Sequence, residues 1–402
     1  MEEATKVLWI STNPPVNNSP HAGGQTFNYY FKGLSKDSSI DVKLIALCWD
    51  GQRKRAIEDN PNLDAEFISF EYDSTSKKII DIFSKINPCN KYAGVMSKYY
   101  ANKLLKKCKE LKDNNYEPEV VILEWTDVVL LAKEIKNIFP NAKLIASEHD
   151  VMFVGYERKR DYYKNPWWGI RFKNEKKYEI EALNLCNLIM VHNKNNEKVL
   201  ISNGVDGNKI SHLTPYYHNM SKLKRNSNYK DILFFGAMNR KENYLSAEWF
   251  IDNVMPLLNN REVRFIVLGS SPDNSIKNRE SERIIVTGFV DSIDSYFEES
   301  MCFVAPLLLG AGIKVKVMEA LSSGIPVLTN EIGIEGIPAK NKKEYFHCKK
   351  PDEYKTMIEN IIDGKIDETE ISGNAKNMMD KSFSPEKSLY EYKERIKRMV
   401  IQ

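Results

Sequence analysis

The strongest chemical signal in the sequence is the segment PLLLGAGIKVKVMEALSSGIPVLTN, at residues 306–330. Gly310 and Gly312 would let the backbone approach a ligand closely. A helix is predicted to open near Ile313, and the free N–H groups of its first turn would attract an anion. Glu319 follows about two helical turns later. The segment therefore predicts a binding site for an anionic ligand at the mouth of a helix.

A second candidate is His149, which directly follows a predicted strand and lies between Glu148 and Asp150. A neutral imidazole at this place could orient a bound ligand or help to stabilise developing charge. A lone histidine is often structural, but its position at the end of a strand favours a functional role. Three further histidines lie near predicted strand ends or in the linker and rank below it: His21, His192 and His218.

The pattern G-x-G-x-K-x-K-x-x-E-A-x-x-x-G-x-P-V, at residues 310–327, resembles the nucleotide-sugar-binding signature of GT-B glycosyltransferases, particularly glycosyltransferase family four, whose members are retaining enzymes. The segment FFGAMNRKENYLSAEWFIDNVMPLL, at residues 234–258, is similar to the family's first strand, glycine loop and helix in the carboxyl-terminal domain. The segment IIVTGFVDSIDSYFEES, at residues 284–300, resembles the one whose backbone recognises the donor base. In the amino-terminal half, PHAGGQTFNYYFKGLSK (residues 20–36) resembles the family's glycine loop, and ASEHDV (residues 146–151) resembles the segment with its active-site histidine.

The resemblance implies a role for each matching residue. Glu319 would hold the ribose hydroxyls of a nucleoside diphosphate sugar, because a carboxylate can accept from two vicinal hydroxyls at once. His149 would contact the donor sugar near the reacting centre. Gly23 and Gly24 would admit the diphosphate to backbone N–H groups at the mouth of a helix that starts near Thr26. The other implied donor-site residues are Gly236 in the first carboxyl-terminal loop, Gly288, Phe289 and Val290 beside the base, and Gly310, Ala311, Gly312 and Ile313 in the signature loop.

The sequence departs from the family pattern at two positions that carry charge. The family often has two glutamates eight positions apart, but Ala311 stands eight positions before Glu319. An arginine often follows the glycine of the first carboxyl-terminal loop, but Ala237 follows Gly236. The site has thus lost one negative and one positive charge.

Two lysines in the signature offer a replacement for the missing positive charge. We expect Lys314 or Lys316 to neutralise the diphosphate leaving group, with Arg240 and Lys241 as competitors. Lys316 lies three positions before Glu319 and so shares a helix face with it. The sequence leaves the choice between the lysines open, and two solvated lysines are the alternative.

Basic and aromatic residues are interleaved between residues 156 and 177. The basic residues are Arg158, Lys159, Arg160, Lys164, Arg171, Lys173, Lys176 and Lys177, and the aromatic ones are Tyr156, Tyr162, Tyr163, Trp167 and Trp168. This mixture suits an anionic membrane surface or a polyanionic or carbohydrate acceptor. A solvated helix pair with its tryptophans packed in the core is an equally good interpretation.

Short apolar runs alternate with helical patterns along both halves of the chain, which predicts α/β domains with parallel sheets. A polar stretch after Leu213 is typical of a linker, and the alternation restarts beyond it. We therefore expect the GT-B fold, in which two doubly wound Rossmann-like domains face a cleft: an acceptor-side domain at residues 1–217 and a nucleotide-sugar-binding domain at residues 218–382. The final helix, at residues 383–402, should cross back and pack on the amino-terminal domain.

The composition excludes several classes of protein. The chain has 402 residues, and 58 Lys and Arg against 55 Asp and Glu leave a net charge of only +3, which argues against a nucleic-acid partner. The longest apolar run, at residues 302–313, is too short to cross a bilayer, and the acidic start does not resemble a signal peptide, so a cytoplasmic location is expected. The 6 cysteines form no CxxC pair, which indicates neither a disulfide framework nor a zinc site.

These features together predict a glycosyltransferase that moves a sugar from a nucleoside diphosphate sugar to a hydroxyl acceptor. The acceptor would be a glycan or lipid-linked saccharide, met at the cytoplasmic face of a membrane through a peripheral contact. Neither a metal nor another cofactor is expected, because helix amides and basic side chains can carry the diphosphate charge. Two alternatives are another GT-B enzyme, such as a nucleotide-sugar epimerase or a phosphorylase, and a non-catalytic saccharide-binding or scaffold protein, which Ala311 makes credible.

Overall fold

Two parallel β-sheets organise the chain, one in each of two units. The computed structural model describes residues 4–17, 19, 21–92, 94, 96–228 and 230–401. The first unit comprises Met1–Tyr216 together with Pro385–Gln402, and the second comprises Tyr217–Ser384. Residues 1–3, Pro20 and Gln402, which belong to the expected acidic start, amino-terminal glycine segment and final helix, lie outside the described residues.

The first sheet has seven strands. They are β1 (Thr5–Ser11), β2 (Ile40–Cys48), β3 (Asp64–Ser69), β4 (Val120–Glu124), β5 (Lys143–Glu148), β6 (Leu188–Val191) and β7 (Ile210–His212). Their order is β3-β2-β1-β4-β5-β6-β7, and all neighbouring pairs are parallel. Leu8 and Ile10 of β1 belong to one apolar layer, whereas Val7 and Trp9 belong to the other. Both faces of the sheet are therefore covered, as a parallel sheet requires.

The second sheet has six strands. They are β8 (Asp231–Phe235), β9 (Arg264–Leu268), β10 (Ile284–Gly288), β11 (Cys302–Ala305), β12 (Val327–Thr329) and β13 (Phe346–His347). Their order is β10-β9-β8-β11-β12-β13, again with parallel pairs throughout. The predicted α/β architecture with a doubly wound sheet in each half is confirmed.

Helices connect the strands of both units. In the first they are α1 (Ala22–Ser35), α2 (Asp50–Asp59), α3 (Thr75–Ile86), α4 (Lys98–Asp113), α5 (Thr126–Val129), α6 (Ala132–Ile138), α7 (Met152–Tyr163), α8 (Pro166–Leu185) and α9 (Lys194–Ser202), with a 3-10 turn at Gly207–Lys209. In the second they are α10 (Lys241–Asn253), α11 (Asn274–Lys277), α12 (Asp294–Glu299), α13 (Val315–Ser323), α14 (Pro351–Ile362) and α15 (Glu368–Ser382), with a 3-10 turn at Met255–Leu257. The chain ends in α16 (Pro385–Ile401). Within the described ranges, no helix has the length and apolar character needed to span a membrane.

The last helix returns to the first unit. Tyr392 and Ile396 of α16 are buried in the same apolar layer as Trp9 of β1 and Phe27 of α1. Gly33 of α1 lies so close to Leu389 that an added Cβ would come within 2.4 Å of that side chain. The predicted return of the final helix to the amino-terminal half is thus confirmed.

Two helix starts differ from those predicted. We expected a helix from about Thr26, but α1 begins at Ala22, so Gly23 and Gly24 lie inside its first turn. The reason is an unusual cap, because His21 Nδ1 accepts the Gly24 N–H at 2.9 Å. The helix expected near Ile313 begins at Val315, since Gly312 has a φ of 68° and cannot continue a right-handed helix.

Candidate functional site

The expected site residues lie where the order of the strands reverses within each sheet. In the first sheet β1 and β4 are neighbours, and the segments that follow them carry Gly23 and Trp125. In the second sheet β8 and β11 are neighbours, and the segments that follow them carry Gly236 and Gly310. Open α/β sheets bind ligands at such switch points, outside the carboxyl ends of the strands. Each unit thus has one edge suited to a ligand.

The signature loop of the second unit holds two glycines with left-handed backbone angles. The φ angles are 112° at Gly310 and 68° at Gly312, conformations that other residues adopt only under strain. Lys314 Nζ donates to the carbonyl oxygens of Ala311, at 3.0 Å, and of Gly312. It also forms an ion pair with Glu335, with Nζ 3.4 Å from Oε2. Lys314 is therefore bonded within its own loop, and the Glu335 carboxylate balances its charge.

Lys316 occupies a different environment, beside the first glycine loop. Its Nζ lies 2.9 Å from where a Cβ on Gly236 would stand, donates to Asn243 Oδ1, and sits 4.8 Å from the ring centroid of Phe234. Burial, helped by the charges of Arg240 and Lys314, lowers the pKa of Lys316 to about 7. No ion pair to Lys316 occurs among the described residues. Its ammonium group thus stands at the loop where the family's arginine is missing.

Glu319 follows Lys316 by three positions on α13 and is buried. Its Oε1 accepts the backbone N–H of His218 at 3.4 Å, and the His218 ring lies 3.3 Å from Asp294 Oδ1. Burial raises the pKa of Glu319 to about 7, although the hydrogen bond from His218 and the charge of Lys316 oppose the shift. A buried carboxylate with so few donors is poised to accept hydrogen bonds from a ligand.

The two competing basic residues are more exposed. Arg240 caps the amino end of α10, and its Nε lies 3.7 Å from Glu242 Oε2. Its side chain is largely exposed, and Lys241, the first residue of α10, is exposed as well. Lys316, in contrast, is held against the glycine loop.

The residues expected beside the base lie next to the first glycine loop through Gly269. Gly269 has a φ of 144°, and a Cβ there would lie 1.8 Å from the Gly236 carbonyl oxygen, so no other residue fits. Its N–H points to Thr287 Oγ1 at 3.4 Å, which donates to the Gly288 carbonyl at 3.0 Å. Gly288 ends β10 with a φ of 69° and leaves Phe289 exposed and Val290 half-buried. The ends of β8, β9 and β10 therefore lie side by side.

In the first unit, His149 follows β5 and is held in a row of buried hydrogen bonds. His192 Nδ1 donates to the Leu213 carbonyl at 2.7 Å, so the neutral ring offers its Nε2 as an acceptor. Burial is the main cause that lowers the pKa of His192 to about 3, and the neighbouring His149 adds to the shift. The His192 ring is therefore neutral. His149 Nδ1, 3.2 Å away, therefore donates to His192, and His149 Nε2 lies 2.5 Å from Glu124 Oε1. Both ring nitrogens of His149 are thus occupied.

Glu124, the last residue of β4, determines how His149 is held. Its Oε2 accepts from Trp9 Nε1 at 2.9 Å, and its Oε1 accepts from Ser147 Oγ at 3.1 Å. Trp9 and Ser147 thus hold the Glu124 carboxylate in place while it contacts His149 Nε2, so Glu124 fixes the orientation of the imidazole.

Trp125 adds a strained residue to the same edge. Its φ of 67° and ψ of 150° fall in a region that is nearly confined to glycine, at a cost of about 1 to 3 kcal/mol. The indole stacks on His149 with ring centroids 5.1 Å apart and an angle of 23°. A Cβ on Gly23 would stand 3.2 Å from Trp125 Nε1 and 3.3 Å from His149 Nδ1. The start of α1, the end of β4 and the end of β5 therefore converge on one place.

Sequence reasoning missed several of these partners. Glu124 carried a recognisable signal, since it is a charged residue at the end of a wholly apolar strand. Gly269 follows β9 directly, and a glycine at a strand end also indicates a close backbone approach. Asn243 and Trp125 had no sequence signal. Among the described residues, no group of three or more His, Cys, Asp or Glu side chains is arranged to hold a metal ion.

Comparison with solved structures supports the same architecture. Anabaena HepE, in complex with UDP and glucose, superposes with a TM-score of 0.68 at 11% identity, covering 98% of this chain and 99% of that one. Sucrose-phosphate synthase from Thermosynechococcus elongatus gives a TM-score of 0.72 at 11% identity, with 98% and 99% coverage. S. aureus TarM, in complex with Fondaparinux, alpha-GlcNAc-glycerol and UDP, gives 0.67 at 12% identity, with 99% and 100% coverage. The chain has the GT-B glycosyltransferase fold.

Sequence comparison places the family signal in the second unit. Residues 229–363 match the family model for Glycosyl transferases group 1, a range that holds the Gly236 loop, the end of β10 and α13. A curated relative, the uncharacterized 44.6 kDa protein in the cps region of Klebsiella pneumoniae, is 22% identical over 117 residues. That alignment covers 26% of this chain and 30% of the relative, so the chain spans less than a third of the protein it matches. The predicted resemblance to GT-B glycosyltransferases of group 1 is confirmed, whereas membership of family four stays a prediction.

Proposed function

We propose that this protein transfers a glycosyl group from a nucleoside diphosphate sugar to a hydroxyl acceptor, with retention of configuration. The observation that carries the proposal is the placement of two side chains on neighbouring turns. Lys316 is set against the Gly236 loop, and the buried Glu319 lies one turn later on α13. One group supplies positive charge beside a loop that can take phosphate, and the other supplies an acceptor for ribose hydroxyls. Both lie within the range that matches the group 1 family model.

The donor would lie along the carboxyl edge of the second sheet. Glu319 would accept from the ribose, and the main-chain groups of Gly288, Phe289 and Val290 would face the base. The diphosphate would meet the amino end of α13 and Lys316 Nζ. As the bond from the sugar to the diphosphate breaks, negative charge grows on the leaving group, and these groups would stabilise it more than they stabilise the bound donor.

The structure favours Lys316 over the other basic residues for this role. Lys314 is bonded to its own loop and paired with Glu335, and the Arg240 side chain is largely exposed. Lys316 alone of these is set against the Gly236 loop, and its partner Asn243 is an uncharged amide. Because this lysine can supply the charge, we propose that neither a metal nor another cofactor is needed.

In the first unit, His149 and the start of α1 would serve the transferred sugar and the diphosphate. Since Gly24 already donates to His21, Gly23 offers the freer backbone N–H of the pair. The ring nitrogens of His149 are bonded to Glu124 and His192, so a sugar hydroxyl would have to replace one of them. We therefore assign His149 a role in contacting the donor sugar, with Glu124 as its positioning residue.

The acceptor would be a glycan or a lipid-linked saccharide. The relative in a cps region, the TarM complex with alpha-GlcNAc-glycerol and the solved lipopolysaccharide outer core galactosyltransferase WaaB support this class. We further propose that the protein acts in the cytoplasm, in peripheral contact with a membrane through residues 156–177, and that nucleic acid is not a partner.

A thermal-shift and turnover experiment tests the proposal. Nucleoside diphosphates, UDP first, should raise the melting temperature, because a ligand that binds only the native state stabilises it. The corresponding sugar nucleotides should be hydrolysed slowly without an acceptor and consumed faster with a saccharide acceptor. Binding without any turnover would favour a non-catalytic protein, and release of an epimerised sugar nucleotide or a sugar phosphate would favour an epimerase or a phosphorylase.

A further inference from the structure

Helix α3 exposes nearly all of its apolar residues. They are Ile79, Ile80, Ile82, Phe83 and Ile86, and the exposed fractions reach 69% at Ile80 and 70% at Phe83. Asp81 on the same helix is instead buried and accepts a hydrogen bond from Tyr72 at 2.8 Å. A polar contact thus anchors the helix while its apolar residues face outward. An exposed apolar patch of this kind marks an interaction surface.

The junction of α7 and α8 extends the same surface. Trp167 Nε1 donates to the Ile86 carbonyl at 2.8 Å and so ties the start of α8 to the end of α3. Trp168 stacks on Tyr163 with ring centroids 5.8 Å apart, and Tyr162 and Ile170 are exposed beside them. An aromatic cluster therefore adjoins the aliphatic face of α3.

Basic side chains flank both parts of this surface. Lys78 on α3, Lys164 at the end of α7 and Lys173 on α8 are exposed. Lys159 Nζ lies 5.4 Å from the ring centroids of both Tyr156 and Trp168, so its charge stands over the aromatic cluster. The buried Arg171 pairs with Glu175 and belongs to the interior instead. Asp161 of α7 is exposed as well but pairs with Arg160 at 2.7 Å, so the remaining exposed charge beside the apolar residues is mainly positive.

We propose that α3 and the α7–α8 junction dock on an anionic lipid bilayer, with α3 lying in the interface. The inference deepens the membrane contact of the proposed function, on which it rests, by assigning the apolar part of that contact to α3. Isoleucine and phenylalanine would enter the outer edge of the hydrocarbon region, as amphipathic surface helices do. Tryptophan and tyrosine prefer the level of the headgroups, and lysine is attracted to anionic lipids. The three kinds of residue occur together on one surface, which is the composition that a bilayer selects.

Vesicle flotation of the full chain tests the apolar contribution. The probes are vesicles of phosphatidylglycerol mixed with phosphatidylethanolamine, and vesicles of phosphatidylcholine alone. Ile80→Ser with Phe83→Ser should weaken binding to the anionic vesicles by about tenfold or more, since both side chains would lose their burial in lipid. Ile57→Ser with Tyr390→Ser removes exposed apolar residues from α2 and α16 and should leave binding unchanged. Equal loss in both double variants, or in neither, would overturn the proposal.

The charge contribution is tested with Lys78→Glu and Lys164→Glu together. This variant should bind the anionic vesicles about tenfold more weakly, because the two lysines no longer attract the protein to the negative lipid surface. It should bind phosphatidylcholine vesicles no more weakly than the unaltered protein does. Sedimentation velocity of the unaltered protein tests whether a second copy of the chain covers this face instead. A dimer that the Ile80→Ser and Phe83→Ser variant dissociates would show that a second copy covers this face and would overturn the lipid assignment.

The thermal shift with UDP separates this inference from the proposed function. Both variants alter only exposed side chains, so they should keep the UDP-induced shift of the unaltered protein. If UDP binds and vesicles do not, the docking surface is wrong while the donor site stands. If vesicles bind and no nucleoside diphosphate does, the donor site is wrong and the surface stands.

Discussion

At the scale of single residues, Glu319 gives the most direct test of the donor site. Replacing Glu319 by Gln keeps the shape of the buried side chain but removes the charge that would accept from ribose hydroxyls. We expect the affinity for UDP to fall by about 1 to 3 kcal/mol with the fold intact. Isothermal titration measures the affinity, and Glu58→Gln on the exposed face of α2 is the matched control. An unchanged UDP affinity in Glu319→Gln would refute the assignment.

Lys316 should matter for turnover more than for binding. Lys316→Ala is expected to lower kcat by about a hundredfold or more, with a smaller change in donor affinity, because negative charge grows on the diphosphate in the transition state. Arg240→Ala should change kcat little, since its side chain is largely exposed. If Arg240→Ala or Lys241→Ala loses turnover while Lys316→Ala keeps it, the first loop carries the charge instead.

The pH profile of kcat/KM should report the same two residues. Burial raises the pKa of Glu319 to about 7, so the carboxylate is lost as the pH falls below that value. Burial lowers the pKa of Lys316 to about 7, so the ammonium group is lost as the pH rises above it. The free enzyme should therefore show a narrow bell centred near pH 7. Glu319→Gln should remove the acid limb of the residual activity, and a wide plateau in the unaltered enzyme would contradict both assignments.

Glu124 should be the costliest of the buried polar residues to change. In Glu124→Gln one carboxylate oxygen becomes an NH2 group, which cannot accept from Trp9 or from Ser147 and His149. We expect a loss of about 1 to 3 kcal/mol in unfolding free energy, measured by chemical denaturation. Turnover should fall as well, while UDP affinity should change less, because most of the proposed UDP contacts lie in the second unit. A Glu124→Gln protein with unaltered stability would mean that the row of hydrogen bonds is not held as described.

At the scale of elements, α5, α8 and β5 enclose a carboxyl group that should make stability depend on pH. Burial raises the pKa of Glu148 to about 8, and the nearby Glu175, Asp150 and Asp127 add to the shift while a hydrogen bond from Thr126 opposes it. The native state therefore holds a proton that the unfolded chain releases at lower pH. Stability should be fully present below the ordinary pKa of a glutamate and should decline as the pH rises through about 8.

Glu148→Gln tests this dependence because an amide cannot titrate. The melting temperature of the unaltered protein should fall between mildly acidic and alkaline pH, and that of the variant should fall less. Glu58→Gln, again on the exposed face of α2, should follow the unaltered protein. Identical slopes in all three proteins would show that Glu148 does not hold its proton in the native state.

The elements found from the sequence were those with a strong apolar pattern. The apolar runs of both halves predicted β1, β2, β4, β5 and β6 in the first sheet and β8 to β12 in the second, whereas β3, β7 and β13 were missed. These three lie at or near sheet edges, are short or only half-buried, and carry polar residues that do not alternate clearly. The start of helix α1 was predicted four residues too late, because histidine is not one of the usual N-cap residues.

The candidate site also has a part that the sequence indicates and a part that only the structure shows. The glycines, Glu319 and the two lysines lie in one contiguous segment, so their spacing alone suggested a site. The choice between Lys314 and Lys316 depends on Glu335 and Asn243, which packing brings from distant parts of the chain. The row from Glu124 through His149 to His192 likewise joins three separate strand ends. Local spacing contains no information about such contacts.

At the scale of the whole molecule, α16 is expected to be indispensable to the first unit. Ile396→Ala should cost about 2 to 5 kcal/mol, because the residue is fully buried in the layer that covers Trp9. Tyr390→Ala, exposed on the same helix, should change stability by no more than about 0.5 kcal/mol. Removing residues 385–402 should expose that apolar layer and cost both stability and activity. A truncated protein that stays soluble, melts at the same temperature and remains fully active would contradict this role.

The return of α16 also has a consequence for synthesis on the ribosome. The second unit, Tyr217–Ser384, is continuous in the chain, so the ribosome makes all of it before it makes α16. The first unit begins earlier yet completes its core only when Tyr392 and Ile396 emerge, after the whole of the second unit has been made. Domains usually fold in the order of their synthesis. Here the later unit can complete its core before the earlier one, whose apolar side chains on α1 stay uncovered until α16 emerges.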